Sequence, residues 1–319
     1  MAGDVLGRAW PEPEERQDLI AFVERMLKLD TRTQADILAR LGLDRKRLAR
    51  WQEKGDEPSI PYRPKSLDGT LIQEEKSMIC NYYLQHPGDG YRRCTYMMQD
   101  EKLIGVSPAT VYKVLKEGEV LRQAHNMPGR KGFDQPSAPH HHWHTDFTSI
   151  KAGDRYYHLI SVIDGYSRAV LSFGIYAQAT AFEAQLVVQK ACELYNPEQT
   201  ALISDNGSTF TAKRFLKFLK VHNIASRFTS PYHPQSNGKI ERWHKSIKWE
   251  AIYPGAPVTE DELRRIIETF VKNYNENRLH AAIGYLAPLD KLNGRGEEIQ
   301  ATRKTFLLEQ RAMRRQRSA

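Results

Sequence analysis

The chain has 319 residues, and its 47 lysines and arginines exceed its 39 acids to give a formal net charge of +8 at pH 7. This length allows two or three domains at roughly 100–200 residues each, and the 40% hydrophobic fraction argues against a wholly disordered chain. No run of about 18 apolar residues predicts a transmembrane helix, and no secretory signal is expected at the amino terminus. Cys80, Cys94 and Cys192 form no Cys-x-x-Cys pair, so neither a disulfide scaffold nor a cysteine-rich zinc site is indicated. The positive charge favours an anionic partner, with nucleic acid first.

Residues 1–57 are predicted to form a helix-turn-helix unit. Apolar residues recur at helical spacing from Ile20 to Leu27, and Asp44 is placed to cap a helix over 44–51. That helix carries four basic candidate DNA contacts outside its apolar positions: Arg45, Lys46, Arg47 and Arg50. The alternative is an ordinary helical hairpin with a solvated basic face, because such hairpins are common.

A proline-bearing linker over 58–70 precedes a second helix-turn-helix-like unit over 71–124. Ser107 and Pro108 supply the N-cap and first position of one of its helices. A basic linker over 125–139 follows. The candidate DNA contacts of this stretch are Tyr91, Arg92, Arg93, Lys113, Arg130 and Lys131.

The pattern changes from helical to mixed over 140–292. Three successive runs rich in β-branched and aromatic residues, at 143–150, 156–164 and 169–175, predict an antiparallel meander. Shorter strands at 201–204 and 224–229 alternate with helices over 180–195, 210–220 and 237–250, and a strong amphipathic helix follows Thr259. The predicted fold class is multidomain: all-α N-terminal units followed by an α/β core with a five-stranded mixed sheet flanked by helices.

Residues 293–319 are polar and basic, and we predict a basic C-terminal tail that is either a helix extension or a disordered arm. A solvated tail is at least as good an interpretation of this composition as a DNA contact.

Three carboxylates stand out by their positions. Asp146 lies inside the first predicted strand, where an acid is disfavoured, and Asp205 ends the fourth, where sites form in mixed sheets. Glu241 lies in the first turns of the helix that follows a loop over 230–238. Taken singly, Asp205 with Asn206 and Gly207 is also a good turn, and Glu241 is also a surface helix residue.

Together, the three acids resemble the Asp-Asp-Glu triad of retroviral-integrase-like transposases, above all those of bacterial insertion sequences. The spacing of 35 residues between the second and third acids carries the resemblance, as do the words Trp-His-Thr-Asp-Phe-Thr, Ser-Asp-Asn-Gly-Ser and Ser-Pro-Tyr-His-Pro-Gln-Ser-Asn-Gly-Lys-Ile-Glu-Arg around them. It covers about residues 135–292, and the unit over 90–115 is similar to the helical domain that precedes such cores.

The resemblance implies an RNase H-like core in which Asp146, Asp205 and Glu241 are catalytic and hold two Mg²⁺ ions, with Mn²⁺ as a possible substitute. Mg²⁺ prefers hard oxygen ligands, and two such ions can stabilise the attacking and leaving oxygens of a displacement at phosphorus. The implied activity is DNA cleavage by metal-activated water, followed by attack of the freed 3′-hydroxyl on target DNA. The implied partners are the double-stranded element ends and target DNA, bound by a homodimer or higher oligomer in the bacterial cytoplasm, at the nucleoid.

Lys245 and Lys248 share a helix face with Glu241, and the family places basic residues there against donor DNA. Pairing of Glu241 with Lys245 at i,i+4 is the alternative. Lys239 and His233, near the same loop, are further candidate DNA contacts.

The histidines at 140, 141, 142 and 144 suggest zinc, but no cysteine is near and the integrase-type zinc domain needs paired His and paired Cys. We interpret His144 as a flank of the active site.

Two alternatives to an active transposase remain: a DNA-binding regulator with an inactive integrase-like core, and an RNase H-like nuclease without strand transfer. The intact triad argues against the first, and the two N-terminal units favour an enzyme that must find specific DNA ends.

Overall fold

The computed structural model describes residues 13–29, 33–54, 71–122, 136–229 and 237–318. The chain divides into two compact units, Met1–Asp68 and Gly69–Ala319. Within the described ranges, no helix combines the length and the apolar character needed to cross a membrane.

Three helices make up the described part of the first unit: α1 (Pro13–Leu29), α2 (Gln34–Arg40) and α3 (Arg45–Lys54). A capping box between Thr33 and Asp36 opens α2, and the Asp44 carboxylate accepts the Lys46 N–H at 2.7 Å at the start of α3. Gly42 occupies the turn between them with φ of 65°, which favours glycine. The three helices share one small core: Leu19, Val23, Ile37, Leu38, Leu43, Leu48 and Trp51.

The second unit begins with α4 (Gln73–Gln85), α5 (Tyr91–Asp100) and α6 (Pro108–Glu117). The Ser107 hydroxyl accepts the Thr110 N–H at 3.2 Å with proline at the next position, as the sequence predicted. Their shared core includes the fully buried Ile79, Met98 and Val111. The described chain before residue 123 is therefore helical, as predicted.

A five-stranded sheet follows, in the order β3-β2-β1-β4-β5. Its strands are β1 (His142–Ala152), β2 (Arg155–Asp164), β3 (Val170–Tyr176), β4 (Thr200–Ser204) and β5 (Ile224–Phe228). The first three form an antiparallel meander, and β4 and β5 run parallel to β1. The central strand is thus β1, and the predicted mixed sheet is confirmed.

Helices cover both faces of the sheet. One hydrophobic core joins the sheet to α7 (Ala181–Tyr195), α8 (Ser208–Thr211) and α9 (Lys213–Val221). A second core joins the other face to α10 (Gly238–Ile247), a π-helical turn (Lys248–Ile252) and α12 (Glu260–Glu276), with α11 (Tyr253–Gly255) between the last two.

Two predicted helices differ from the structure in detail. The helix predicted over 210–220 is divided into α8 and α9, because Ala212 has an extended backbone with ψ of 131°. The helix predicted over 237–250 continues through the π turn to Gly255.

After α13 (Pro288–Leu292), the region of the predicted basic tail forms the long helix α14 (Gly296–Ser318), so the helix alternative applies. Two buried arginines attach α14 to the helical part of the second unit. Arg303 binds both carboxylate oxygens of Asp100 at 2.7 and 2.6 Å, and Arg314 binds Glu75 at 3.1 Å and the Gly105 carbonyl at 2.8 Å.

Candidate active site

Asp146 lies on the central strand at the point where the parallel ladder ends. β1 pairs with β4 from His142 to His144, which is opposite Ile203. Continuing this register by two residues brings Asp146 level with Asp205, one residue beyond the end of β4. Neighbouring strands lie about 4.8 Å apart, so the topology places two acids of the predicted triad side by side.

Burial and neighbouring charge both act on Asp146. Its side chain is 21% exposed, and one carboxylate oxygen accepts the Phe147 N–H at 2.8 Å. The pKa of Asp146 is raised to about 6, chiefly by burial and also by the negative charges of Asp205 and Glu241, against the lowering effect of the Phe147 hydrogen bond. The carboxylates of Asp205 and Glu241 therefore lie close enough to Asp146 for their charges to act on it.

Asp205 is held in a turn. Its Oδ1 accepts the Gly207 N–H at 3.0 Å, and the neighbouring Asn206 amide donates to the Thr229 carbonyl at 3.0 Å, next to the end of β5. The turn that the Asp-Asn-Gly sequence predicts is present, and it directs the chain out of the sheet at the level of Asp146.

Glu241 is exposed in the first turns of α10. The two residues that attach this helix beside Asp146 are Trp243 and His244. The Trp243 indole donates to the Ser161 hydroxyl at 3.1 Å, and Ser161 is the cross-strand partner of Asp146. His244 Nδ1 lies 3.8 Å from Asp146 Oδ2.

The sequence analysis did not single out these two contacts. The signal for them was the spacing of Ile240, Trp243, His244 and Ile247, which are all buried and follow the i, i+3, i+4, i+7 rule.

Two buried histidines border the carboxylates. His144, two residues before Asp146 on β1, has its pKa lowered to about 3 by burial and then by nearby cations, Lys239 first. Burial also lowers the pKa of His244 to about 3. Both imidazoles are therefore neutral at pH 7 and add no positive charge to the site.

The chemistry of the three carboxylates suits a hard cation, since clustered anionic oxygens repel each other and are relieved by Mg²⁺ or Mn²⁺. In the described residues, no three His, Cys, Asp or Glu side chains already surround one ion position.

Asp164 has a structural role in the corner after β2. It is fully buried, and it accepts the His140 N–H at 2.8 Å and the Ser167 N–H and hydroxyl, both at 2.7 Å. These bonds tie the start of β1 to the β2–β3 connection.

The predicted DNA contacts that the structure describes lie on α3, α5, α6 and α10, with Lys248 in the π turn that follows. On α3, Arg45, Lys46 and Arg50 are exposed, and the Arg47 guanidinium lies 4.9 Å from the centre of the Trp51 ring. In the second unit, two of the predicted contacts engage neighbours: Arg92 donates to the Tyr91 hydroxyl at 3.1 Å, and Arg93 pairs with Asp89.

The remaining candidates divide between exposed and partly buried positions. Lys113 on α6 and Lys245 on α10 are exposed, whereas Lys239 and Lys248 are partly buried. Burial lowers the pKa of Lys248. Arg130, Lys131 and His233 lie outside the described residues.

Known proteins share this core. Two family models, both described as an integrase core domain, match this chain. One matches residues 136–234 and the other matches residues 222–288. The putative transposase InsK for insertion sequence element IS150 of Escherichia coli (strain K12) is 25% identical over 235 residues, covering 68% of this chain and 82% of InsK. An uncharacterized 39.2 kDa protein of insertion element IS476 from Xanthomonas euvesicatoria is 25% identical over 210 residues. That match covers 64% of this chain and 60% of the relative.

A solved structure of the simian T-cell lymphotropic virus intasome in complex with PP2A regulatory subunit B56 gamma is also similar, with a TM-score of 0.45 and 18% identity. It covers 67% of this chain and 74% of the chain compared.

The sheet order, the flanking helices and the family matches define residues 136–288 as an integrase core domain. The relatives that share this core include a putative transposase and other proteins of bacterial insertion sequences, and the resemblance found in the sequence is confirmed.

Proposed function

We propose that this protein is a DDE transposase that binds the terminal inverted repeats of an insertion sequence, cleaves DNA, and joins the 3′-hydroxyl end to target DNA. The observation that carries the proposal is that Asp205 and Glu241 both lie near enough to Asp146 for their charges to act on its carboxyl group. They come from a central strand, a strand end and a helix of an integrase core.

These three residues would hold the divalent cations, which we propose are two Mg²⁺ ions that Mn²⁺ can replace. When bound, such ions stabilise the negative charge that develops on the attacking and leaving oxygens at phosphorus. The carboxylates contribute hard oxygen donors and leave room for water and phosphate, because three residues do not form a closed cage.

The surrounding residues orient the carboxylates and bind DNA. Phe147 N–H and the turn at Gly207 hold Asp146 and Asp205, while Trp243 and Ser161 hold the helix of Glu241. Because His144 and His244 are neutral, the positive charge that meets the DNA backbone is proposed to come from lysines of α10: Lys239, Lys245 and Lys248.

End recognition is proposed for the helical units. The exposed cations of α3 would contact phosphates and base edges, and the second unit would add Tyr91, Arg92, Arg93 and Lys113. Both ends of an element must be held together for joining, so we propose that a dimer or larger assembly acts on DNA, in the bacterial cytoplasm and at the nucleoid.

The test is a joining assay on duplexes made from the DNA that flanks the gene, with a supercoiled target and Mg²⁺. Asp146→Asn, Asp205→Asn and Glu241→Gln should abolish cleavage and strand transfer while end binding persists. Asp261→Asn and Glu268→Gln, which change exposed acids of α12, serve as matched controls and should retain activity.

Retained joining by any of the three triad variants would contradict the proposal. Cleavage without joining by the wild-type protein would indicate the nuclease alternative, and end binding without either reaction would indicate the regulator.

A further inference from the structure

An exposed row of four side chains starts at Glu241 and runs along its helix. Glu241, Lys245, Trp249 and Tyr253 recur at intervals of four residues through α10, the π turn and α11. All four are exposed, and Trp249 and Tyr253 retain 66% and 56% of their surface. The opposite side of the helix is buried, so the row forms the solvent face of this element.

The π turn keeps the two aromatic residues together. In an α-helix, residues four apart drift by about 40° around the axis, which would carry a long row away from its starting face. The π turn over Lys248–Ile252 has more residues per turn than an α-helix, so it offsets part of that drift. The Trp249 and Tyr253 rings meet with centroids 5.3 Å apart and planes at 89°.

The composition of the row points to nucleic acid and not to another protein. Protein interfaces are depleted of lysine and glutamate at their centres, whereas this row places an acid and a cation directly before the aromatic pair. Surfaces that bind single-stranded nucleic acid combine cations that follow the backbone with aromatic rings on which bases stack. Arg242, exposed beside Glu241, adds to the positive charge of this face.

We propose that Trp249 and Tyr253 form a stacking platform for an unpaired base of the DNA end held at Glu241. A helical rise of 1.5 Å per residue places the pair about 12–18 Å from Glu241. With the helix along the duplex axis and an axial rise of about 3.4 Å per phosphate of one strand, the platform reaches a base about four or five positions from the reacting phosphate. This inference rests on the proposed function, since it requires the DNA end to lie at Glu241.

The experiment measures the affinity of the full-length protein for element-end duplexes that carry one mismatched pair at each position from one to eight. A mismatch removes part of the cost of unpairing, which is a few kcal/mol. We expect the wild-type protein to bind about fivefold or more tightly when the mismatch is about four or five positions from the cleaved end.

Trp249→Ala and Tyr253→Ala should reduce that gain to less than about twofold and weaken binding by about five- to a hundredfold, as expected when a stacking interaction is removed. Trp249→Phe should keep most of the gain. Tyr156→Ala removes an aromatic ring of similar exposure, 63%, from β2 and should behave as the wild type.

The inference is overturned if Trp249→Ala keeps the wild-type mismatch profile, or if it changes only the oligomeric state measured by light scattering without DNA. In both cases the wild-type protein still joins ends, and the proposed function stands. If the wild-type protein binds no element end, the proposed function fails and the inference fails with it.

Discussion

Trp243 Nε1 donates to the Ser161 hydroxyl at 3.1 Å, and both side chains are almost completely buried. Ser161 lies directly across from Asp146 on the neighbouring strand, and Trp243 is two residues from Glu241. One hydrogen bond therefore connects β2, the strand paired with that of the first acid, with the helix of the third.

Breaking this bond should lower the stability of the protein and also displace Glu241 from its position beside Asp146. Ser161→Ala leaves the indole N–H buried without a partner, and Trp243→Phe leaves the hydroxyl in the same state, so each should lower the free energy of unfolding by about 1–3 kcal/mol. Both should reduce strand transfer more than end binding, since Glu241 loses its position and the DNA-binding helices do not change.

A double-mutant cycle in urea supplies the control. Removing both partners leaves no unpaired polar group, so Ser161→Ala with Trp243→Phe should cost less than the sum of the single changes. Additive costs would show that the two groups do not interact.

Because Asp146 is proposed to bind a cation, its charge and added Mg²⁺ should both change the thermal stability of the protein. Asp146→Asn removes a buried charge that Asp205 and Glu241 repel, while the amide oxygen can still accept the Phe147 N–H. In EDTA the variant should melt higher than the wild type, by about 2–4 °C for each kcal/mol gained. Mg²⁺ should raise the Tm of the wild type, because it binds the folded state, and leave the variant unchanged.

The matched control is Asp154→Asn, in the exposed turn between β1 and β2. It should respond to Mg²⁺ as the wild type does. An equal Mg²⁺ shift in Asp146→Asn would remove this residue from the metal site.

The sequence was sufficient for the strands and for the separate positions of the acids, because alternation, caps and turns are local signals. Thr180, Thr259 and Ser107 cap the helices they were predicted to cap. The register that aligns Asp146 with Asp205 could not be predicted, since it depends on pairs such as His144 and Ile203, which are 59 positions apart in the chain. Nor was the Trp243 contact, because a tryptophan on a buried helix face does not indicate its partner.

The basic end of the chain was harder to interpret for a different reason. Arg303 and Arg314 are buried only because Asp100 and Glu75 neutralise them from about 200 residues away. Without knowledge of these partners, the same charges are typical of a solvated tail.

Those two ion pairs should carry much of the stability of the α14 attachment. Arg303→Ala or Arg314→Ala removes charge-assisted hydrogen bonds and should lower the free energy of unfolding by about 1.5–3 kcal/mol, since Asp100 is partly exposed and Glu75 keeps Arg317 at 4.0 Å. Amide hydrogen exchange should accelerate in α4 and α5, while β1 and β2 keep their protection. Arg311→Ala, on the exposed side of α14, is the control and should leave both regions as in the wild type. Uniform acceleration across the sheet would contradict a local attachment.

DNA affinity should fall steeply with salt, because each cation that neutralises a phosphate releases counterions. Replacing Arg45, Lys46 and Arg50 by alanine should reduce the slope of log K against log salt by about 0.9 for each phosphate that is no longer neutralised. Arg25→Ala, an exposed cation of α1, is the matched control. An affinity that is flat between low and physiological salt would exclude phosphate binding by α3.

The position of α14 in the chain also means that its contacts with α4 and α6 form only after the strands of the sheet have been translated. The contacts of Arg314 lie on α4 and beside α6. Arg314 follows the end of the described α4–α6 segment by about 190 residues. At 5–20 residues per second, synthesis of this stretch takes about 10–40 s. The strands of the sheet are all translated within that interval. A ribosome that stalls just before residue 303 therefore carries a chain in which every strand of the sheet has been made, while α4–α6 still lack the helix that Arg303 and Arg314 attach to them.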